Sequence, residues 1–314
     1  MIKRLFILGN GFDLSHGLET KYTDFEKWVS NRNKRLHEKI TFMMEEHNKM
    51  KEHNKIVENL EDNLNWSDFE KSFHEIIQGG WGEFFIEESI QNFLSNPGDP
   101  NFSDADWGAL KYELKEKLIS LSTVKSLFNE WILLTIEPTV KQHSPRYVFG
   151  KEDIFFSFNY TTTLETIYKI KKSNIYHIHG DYKNVIVGHN ERFEDKFSKE
   201  YNPDDDNIML SDAMDSVSLL HENLSKDVNK QIIKFEQSTF FSELRTVNKV
   251  HIIGHGYGKY DYPYYELLAK VVSNYCTWNF YYYSEEDFTQ LTKLLKILPD
   301  IRYETFNCIP EVFD

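Results

Sequence analysis

Lys3-Arg4-Leu5-Phe6-Ile7-Leu8-Gly9-Asn10-Gly11-Phe12-Asp13-Leu14-Ser15-His16-Gly17-Leu18 is the stretch on which the fold of this 314-residue chain turns. Leu5–Leu8 is a short apolar run without helical spacing, the pattern of a strand buried on both faces. It breaks into Gly9-Asn10-Gly11, where two glycines permit a sharp turn and let a ligand approach the backbone. Polar, cap-forming residues follow at Asp13, Ser15, Thr20 and Thr23, and then an amphipathic helix around Asp24–Val29. Strand, glycine turn and helix start are the usual opening of a nucleotide-binding α/β unit, in which backbone N–H groups and the helix dipole meet phosphate. The full G-x-G-x-x-G and the G-x-x-x-x-G-K-[ST] patterns are both missing. A plain tight turn, with Asn10 and Asp13 bonding their own backbone, explains the same residues.

Outward from this unit, residues 31–142 read as helical. Ile40, Met43, Met44, Met50, Ile56, Val57 and Leu60 mark a narrow apolar stripe on one or two long helices. Ser67 and Glu70 have capping-box spacing. Further helices are predicted over Gly82–Phe93, Asp104–Ser120 and Val124–Val140. Strands return at Glu152–Phe158, Ile175–Gly180, Asn184–Gly188, Lys249–Gly254, Cys276–Tyr283 and Ile301–Phe306. Helices over Asn207–Leu224, Lys230–Leu244 and Glu285–Leu298 separate the later ones. Strands alternating with helices predict an α/β fold, a mostly parallel, doubly wound Rossmann-like sheet. The expected organisation is one domain over 1–314 with a helical insertion at 31–142.

Four strands end alike, in an apolar run, then glycine or asparagine, then polar residues. The tips are Asn10/Asp13, Asn159/Thr161, His179/His189 and His255/Asp261. An open parallel sheet binds its ligand beyond the carboxyl ends of its strands, so all four are expected to line one crevice. Asn159 follows an aromatic strand, and a buried amide left unsatisfied costs about 1–3 kcal/mol, so it bonds backbone or faces a ligand. His177 and His179 alternate on their strand and share a face. With His189 they have the nitrogen count of a metal site, although two strand histidines and a third on a turn more often simply pack, and no metal is assigned. Gly254-His255-Gly256 offers backbone N–H groups to an anion. Asp261 either accepts from a ribose hydroxyl or caps the helix after it.

Composition narrows the function. With 50 acidic against 36 basic residues the net charge is −14, which disfavours duplex nucleic acid as a partner. The acidic run from Glu191 to Asp227 reads as a solvated loop. Two cysteines without paired spacing give neither a zinc framework nor a disulfide scaffold, and fit a reducing, cytoplasmic setting. No apolar run approaches the roughly 18 residues of a membrane span. G-x-S-x-G is absent, and Cys276 inside an aromatic strand reads as inert.

Gly9-Asn10-Gly11-Phe12-Asp13-Leu14, His16-Gly17-Leu18, Thr20, Tyr22 and Asp24-Phe25 resemble the signature of the AbiH family of bacteriophage abortive-infection proteins. Phe158-Asn159-Tyr160-Thr161 with Leu164-Glu165, and Ile253-Gly254-His255-Gly256 through Asp261, resemble later blocks of that family. The segments at Asn159 and at Ile178-His179-Gly180 are also similar to blocks of sirtuin-type NAD-consuming domains. There the asparagine orients the nicotinamide ribose and the histidine is the catalytic base. Two departures stand out: Thr161 where an acid is usual, and Gly256 where serine is usual. The resemblance implies a phage-defence effector that hydrolyses the N-glycosidic bond of NAD or a related nucleotide. It casts Asn159 and His179 as catalytic, and Gly9, Asn10, Gly11, Asp13, His189, Gly254, His255 and Asp261 as nucleotide-binding. NAD enters as substrate, with no resident cofactor. The expected partners are a nucleotide-like small molecule, a phage-derived trigger and a second copy of the chain. The alternatives are a non-catalytic nucleotide switch and a metal-assisted nuclease.

Overall fold

A computed structural model describes residues 3–53, 64–66, 69, 72, 80–93, 108–188, 208–298 and 301–313. Ser67, Glu70 and His189 lie outside these residues. The chain divides into two compact units, one comprising Met1–Lys21, Asn129–Ile186 and Val228–Asp314, the other Tyr22–Phe128 and Val187–Asp227.

The first unit holds a six-stranded sheet: β1 (Arg4–Leu8), β2 (Ile154–Ser157), β3 (Ile175–His177), β4 (Lys249–Ile253), β5 (Thr277–Tyr281) and β6 (Arg302–Phe306). Every pairing is parallel, and the order is β3-β2-β1-β4-β5-β6. The α/β parallel sheet expected from the alternation of elements is therefore present, and its order reverses between β1 and β4, the crevice position of a Rossmann-type sheet.

The unbroken apolar run of β1 is explained by burial on both sides. Leu5 and Ile7 join Phe156, Val250, Ile252, Trp278 and Phe280 under the helices Val228–Glu236, Tyr262–Val271 and Glu285–Ile297. Phe6 and Leu8 join Phe155, Ile253 and Tyr281 on the other face, closed by Phe12, Leu164 and Phe313. Each such side chain contributes roughly 1.5–3 kcal/mol by leaving water. A capping box of Ser284 and Asp287 starts the helix Glu285–Ile297. Among the described residues no helix is long and apolar enough to cross a membrane.

The second unit holds the helices Tyr22–Arg32, Lys34–His53, Gly80–Phe93, most of Ala109–Trp131, and Ile208–Asn223. The helices predicted over Asp104–Ser120 and Val124–Val140 run without the expected break near residue 122. Ser120 and Thr123 donate to the carbonyls of Glu116 and Ile119, so these hydroxyls stay inside the helix instead of ending it. The helix predicted over Lys230–Leu244 is instead split, because Ser238 caps a new start at Thr239 by accepting from the Phe241 N–H.

Two strand predictions need correction. β3 stops at His177, so His179 lies in the following turn and does not share a strand face with it. Asn184–Gly188 is no strand: the Asn184 N–H donates to the Asp181 carbonyl and the Ile186 N–H to the His179 carbonyl, folding the segment back on the turn.

Candidate active site at the switch between β1 and β4

The turns after β1 and β4 are locked backbone to backbone. The Gly9 N–H donates to the Ile253 carbonyl at 3.0 Å and the Gly11 N–H to the Gly254 carbonyl at 2.8 Å. A Cβ on Gly9 would sit 2.6 Å from the Gly254 oxygen, and one on Gly11 2.6 Å from the Gly254 Cα. Gly254 has φ +64° and leaves no room either, since its Cβ would lie 2.3 Å from the Phe12 nitrogen. These three glycines thus serve chain-to-chain approach, and the Gly9 and Gly11 N–H groups are already engaged. Asn10 is exposed and donates its amide to the Thr20 carbonyl at 2.8 Å.

Asp13 points the other way, toward the residues after β2. Thr161 and Thr163 each donate a hydroxyl to it at 2.7 Å, one to each oxygen, and the hydroxyls themselves lie 2.9 Å apart. Burial pushes the Asp13 carboxyl up to about 6, against the pull of both hydroxyls. Beside it, Glu137 accepts from the Thr162 N–H and hydroxyl. A π-turn, Ile132–Ile136, precedes Glu137, where Pro138 has no N–H to continue the ladder. Burial raises the Glu137 pKa too.

His177 donates from Nδ1 to the Asn159 carbonyl at 2.9 Å, and its Nε2 lies 3.4 Å from Glu165. Burial alone lowers the pKa of this imidazole, but the Glu165 hydrogen bond and charge and the Asn159 carbonyl outweigh it, and the net shift is upward. The Asn159 backbone is thereby fixed, with its N–H donating to Ser157 Oγ at 3.1 Å. Its side-chain nitrogen is buried and has no hydrogen-bond partner among the described residues.

The turn after β4 delivers His255 and Asp261. The Tyr257 N–H donates to His255 Nδ1 at 2.9 Å, so the neutral ring carries its proton on Nε2, which lies 3.1 Å from Asp261 Oδ2. The other Asp261 oxygen stands 4.0 Å from His179 Nε2. Phe158 packs against both imidazoles, with its centroid 5.3 Å from His179 and 4.6 Å from His255. Both histidines are buried, and 19% of the Asp261 side chain meets solvent. Asp261 makes no side-chain cap to the helix Tyr262–Val271. Tyr257 holds φ +54°, strained for a bulky residue, and is pinned by its hydroxyl donating to the Tyr281 carbonyl at 2.6 Å.

The structure therefore gathers His179, His255 and Asp261 around Phe158, directly ahead of Asn159, with Gly9 and Gly254 behind them. Asp13 belongs to a separate threonine cluster. The roles of Glu137 and Glu165 are not legible in the sequence, whereas His177 is the packed, hydrogen-bonded strand residue that its position suggests. Among the described residues no three His, Cys, Asp or Glu side chains are grouped to hold a metal ion. A cavity of about 330 Å³ beside Lys270, Ser273, Cys276 and Trp278 lies at the opposite end of the sheet, and among the described residues no carboxylate or imidazole lines it. Burial raises the Cys276 thiol to about 12, leaving it protonated.

A parallel sheet of Rossmann order with an imidazole–carboxylate–imidazole group at its reversal point defines a class of α/β proteins with a switch-point site. Within that class the chain belongs to the family described as Bacteriophage abortive infection AbiH, whose model matches residues 5–282. Neither a search of curated proteins nor one of solved structures found a match.

Proposed function

We propose that this abortive-infection protein acts by hydrolysing the N-glycosidic bond of NAD or a related nucleotide at the His179–Asp261–His255 group. The observation that carries the reading is Asp261 set between two buried imidazoles, one of them in the same turn as a strained tyrosine, while the amide nitrogen of Asn159, the residue after Phe158, is buried with no hydrogen-bond partner among the described residues. The similarity of the Asn159 and His179 segments to blocks of sirtuin-type NAD-consuming domains supports the choice of substrate.

In this reading the Asn159 amide donates to a ribose hydroxyl. The C–N bond breaks with its electron pair leaving on the nicotinamide nitrogen, which converts the pyridinium to neutral nicotinamide. Water adds to the cation-like sugar carbon and gives its proton to His179 Nε2, and the Asp261 carboxylate stabilises the imidazolium formed. His255, donating to the other Asp261 oxygen, keeps that carboxylate aimed. Because the Gly9 and Gly11 N–H groups are engaged, recognition falls on the nucleoside half rather than on a phosphate at this turn.

The test is incubation of the purified full chain with NAD, following nicotinamide by liquid chromatography. Release that falls at least 100-fold in His179→Ala and Asn159→Ala supports the proposal. No release under any condition that produces phage protection in cells overturns it, and a thermal shift with NAD but no product would favour the non-catalytic switch.

A further inference from the structure

We propose that the outer edge of β6 pairs with the same edge of a second copy of this chain, joining two sheets into one. β6 is the last strand of the sheet, and among the described residues no strand lies beyond it. Its residues Arg302, Tyr303, Glu304 and Thr305 are all exposed, and Tyr303 is half in water. A strand edge of this kind presents a row of N–H and C=O groups able to extend a ladder.

Natural edges are commonly guarded by charge, and a guard of one sign repels a copy of itself. This edge carries one charge of each sign, Arg302 and Glu304, two residues apart and therefore on one face. Two-fold symmetry through the edge makes the paired strands antiparallel and keeps each face with its like. In the register centred on Tyr303, Arg302 of each copy stands opposite Glu304 of the other, and the two Tyr303 rings meet on the opposite face. Shifting the centre to Glu304 sets two carboxylates against each other, and shifting it to Arg302 sets two guanidinium groups together. The sequence of the edge thus selects one register and one partner, itself. Tyr275, 82% exposed beneath the Arg302 guanidinium, adds apolar surface at the rim. One strand edge is small beside the roughly 1,200–2,000 Å² of stable interfaces, so the dimer is reversible and concentration-dependent.

The experiment is sedimentation of the full chain over a concentration series, with three variants at exposed positions that leave the core untouched. Wild type is expected to move from one-chain to two-chain mass. Arg302→Glu and Glu304→Arg should each raise the dissociation constant roughly tenfold or more, because two cross-strand attractions become two repulsions. The double exchange R302E/E304R should restore the wild-type value. Mixing the two single variants should yield a heterodimer that neither forms alone. A wild type that stays at one-chain mass throughout overturns the proposal, as does a dimer indifferent to both single substitutions. Since these residues lie outside the candidate site, nicotinamide release by dilute protein bears on the proposed activity alone.

Discussion

Asp13, gripped by Thr161 and Thr163, and Asp261, set between His179 and His255, are two acids of one compact unit in opposite surroundings. Both Asp13 oxygens accept from hydroxyls at 2.7 Å, and the residue is 2% exposed. Asp261 reaches solvent, and its partners are groups that can gain or lose a proton, at 3.1 and 4.0 Å. The Asn159 amide nitrogen, one residue beyond Phe158, is buried without a hydrogen-bond partner among the described residues. A saturated polar cluster holds structure together; a cluster with a proton acceptor, an open face and an unspent donor has chemistry left to do.

The largest expected effect lies at the seam behind the second cluster. Gly254→Ala combines a left-handed backbone with a Cβ only 2.3 Å from the Phe12 nitrogen, and should cost about 3 kcal/mol or more. Thermal or urea unfolding checks this, and a loss under 1 kcal/mol would mean the two turns are not interlocked. Next comes Asp13→Ala, which strips two hydroxyls of their acceptor and should cost about 2–3 kcal/mol by urea unfolding. Asn159→Ala sharpens the contrast, because it removes a donor with no partner among the described residues. Stability should change by less than about 1 kcal/mol while nicotinamide release is lost; a large destabilisation would assign the amide to the saturated class.

The smallest effect is a slope with pH. The folded Asp13 carboxyl holds its proton to about pH 6, whereas its ordinary value is 3.8. The folded state therefore binds more protons than the unfolded one between these values. The contribution of Asp13 is full below pH 3.8 and is lost as pH rises through 6. His177, whose folded pKa is raised above 6.5, adds a contribution full below that pH and lost as pH climbs past the raised value. Urea midpoints of Asp13→Asn, which keeps a hydrogen bond to each threonine, should lack the first decline and keep the second. An unchanged profile would show that Asp13 is not buried as described.

Much of the sheet was legible because β1 and β2 are mostly apolar runs buried on both faces, and β4 and β5 break theirs inside the strand only at His251 and Asn279. The fold-back at Asn184 was not, because Val185-Ile186-Val187 has the composition of a strand while its direction is decided by hydrogen bonds to Asp181 and His179. Of the candidate site, Asn159, His179, His255 and Asp261 were visible as polar residues at strand tips. Their division from Asp13 was not, since that rests on which way the short helix Asn10–Ser15 aims a side chain. Glu165 and Glu137 were hidden for a similar reason: an acid on a helix looks the same whether it faces water, a histidine or a threonine.

The clasp of Gly9 and Gly11 on Gly254 also bears on when the crevice comes into being. Its two halves are separated by most of the polypeptide, and neither turn can complete its backbone bonds alone. Loop closure of that span is slow and cannot begin before β4 has left the ribosome. The first fold signal in the chain is thus among the last to be satisfied, and any fragment ending ahead of Gly254 lacks a finished cleft however well its helices form.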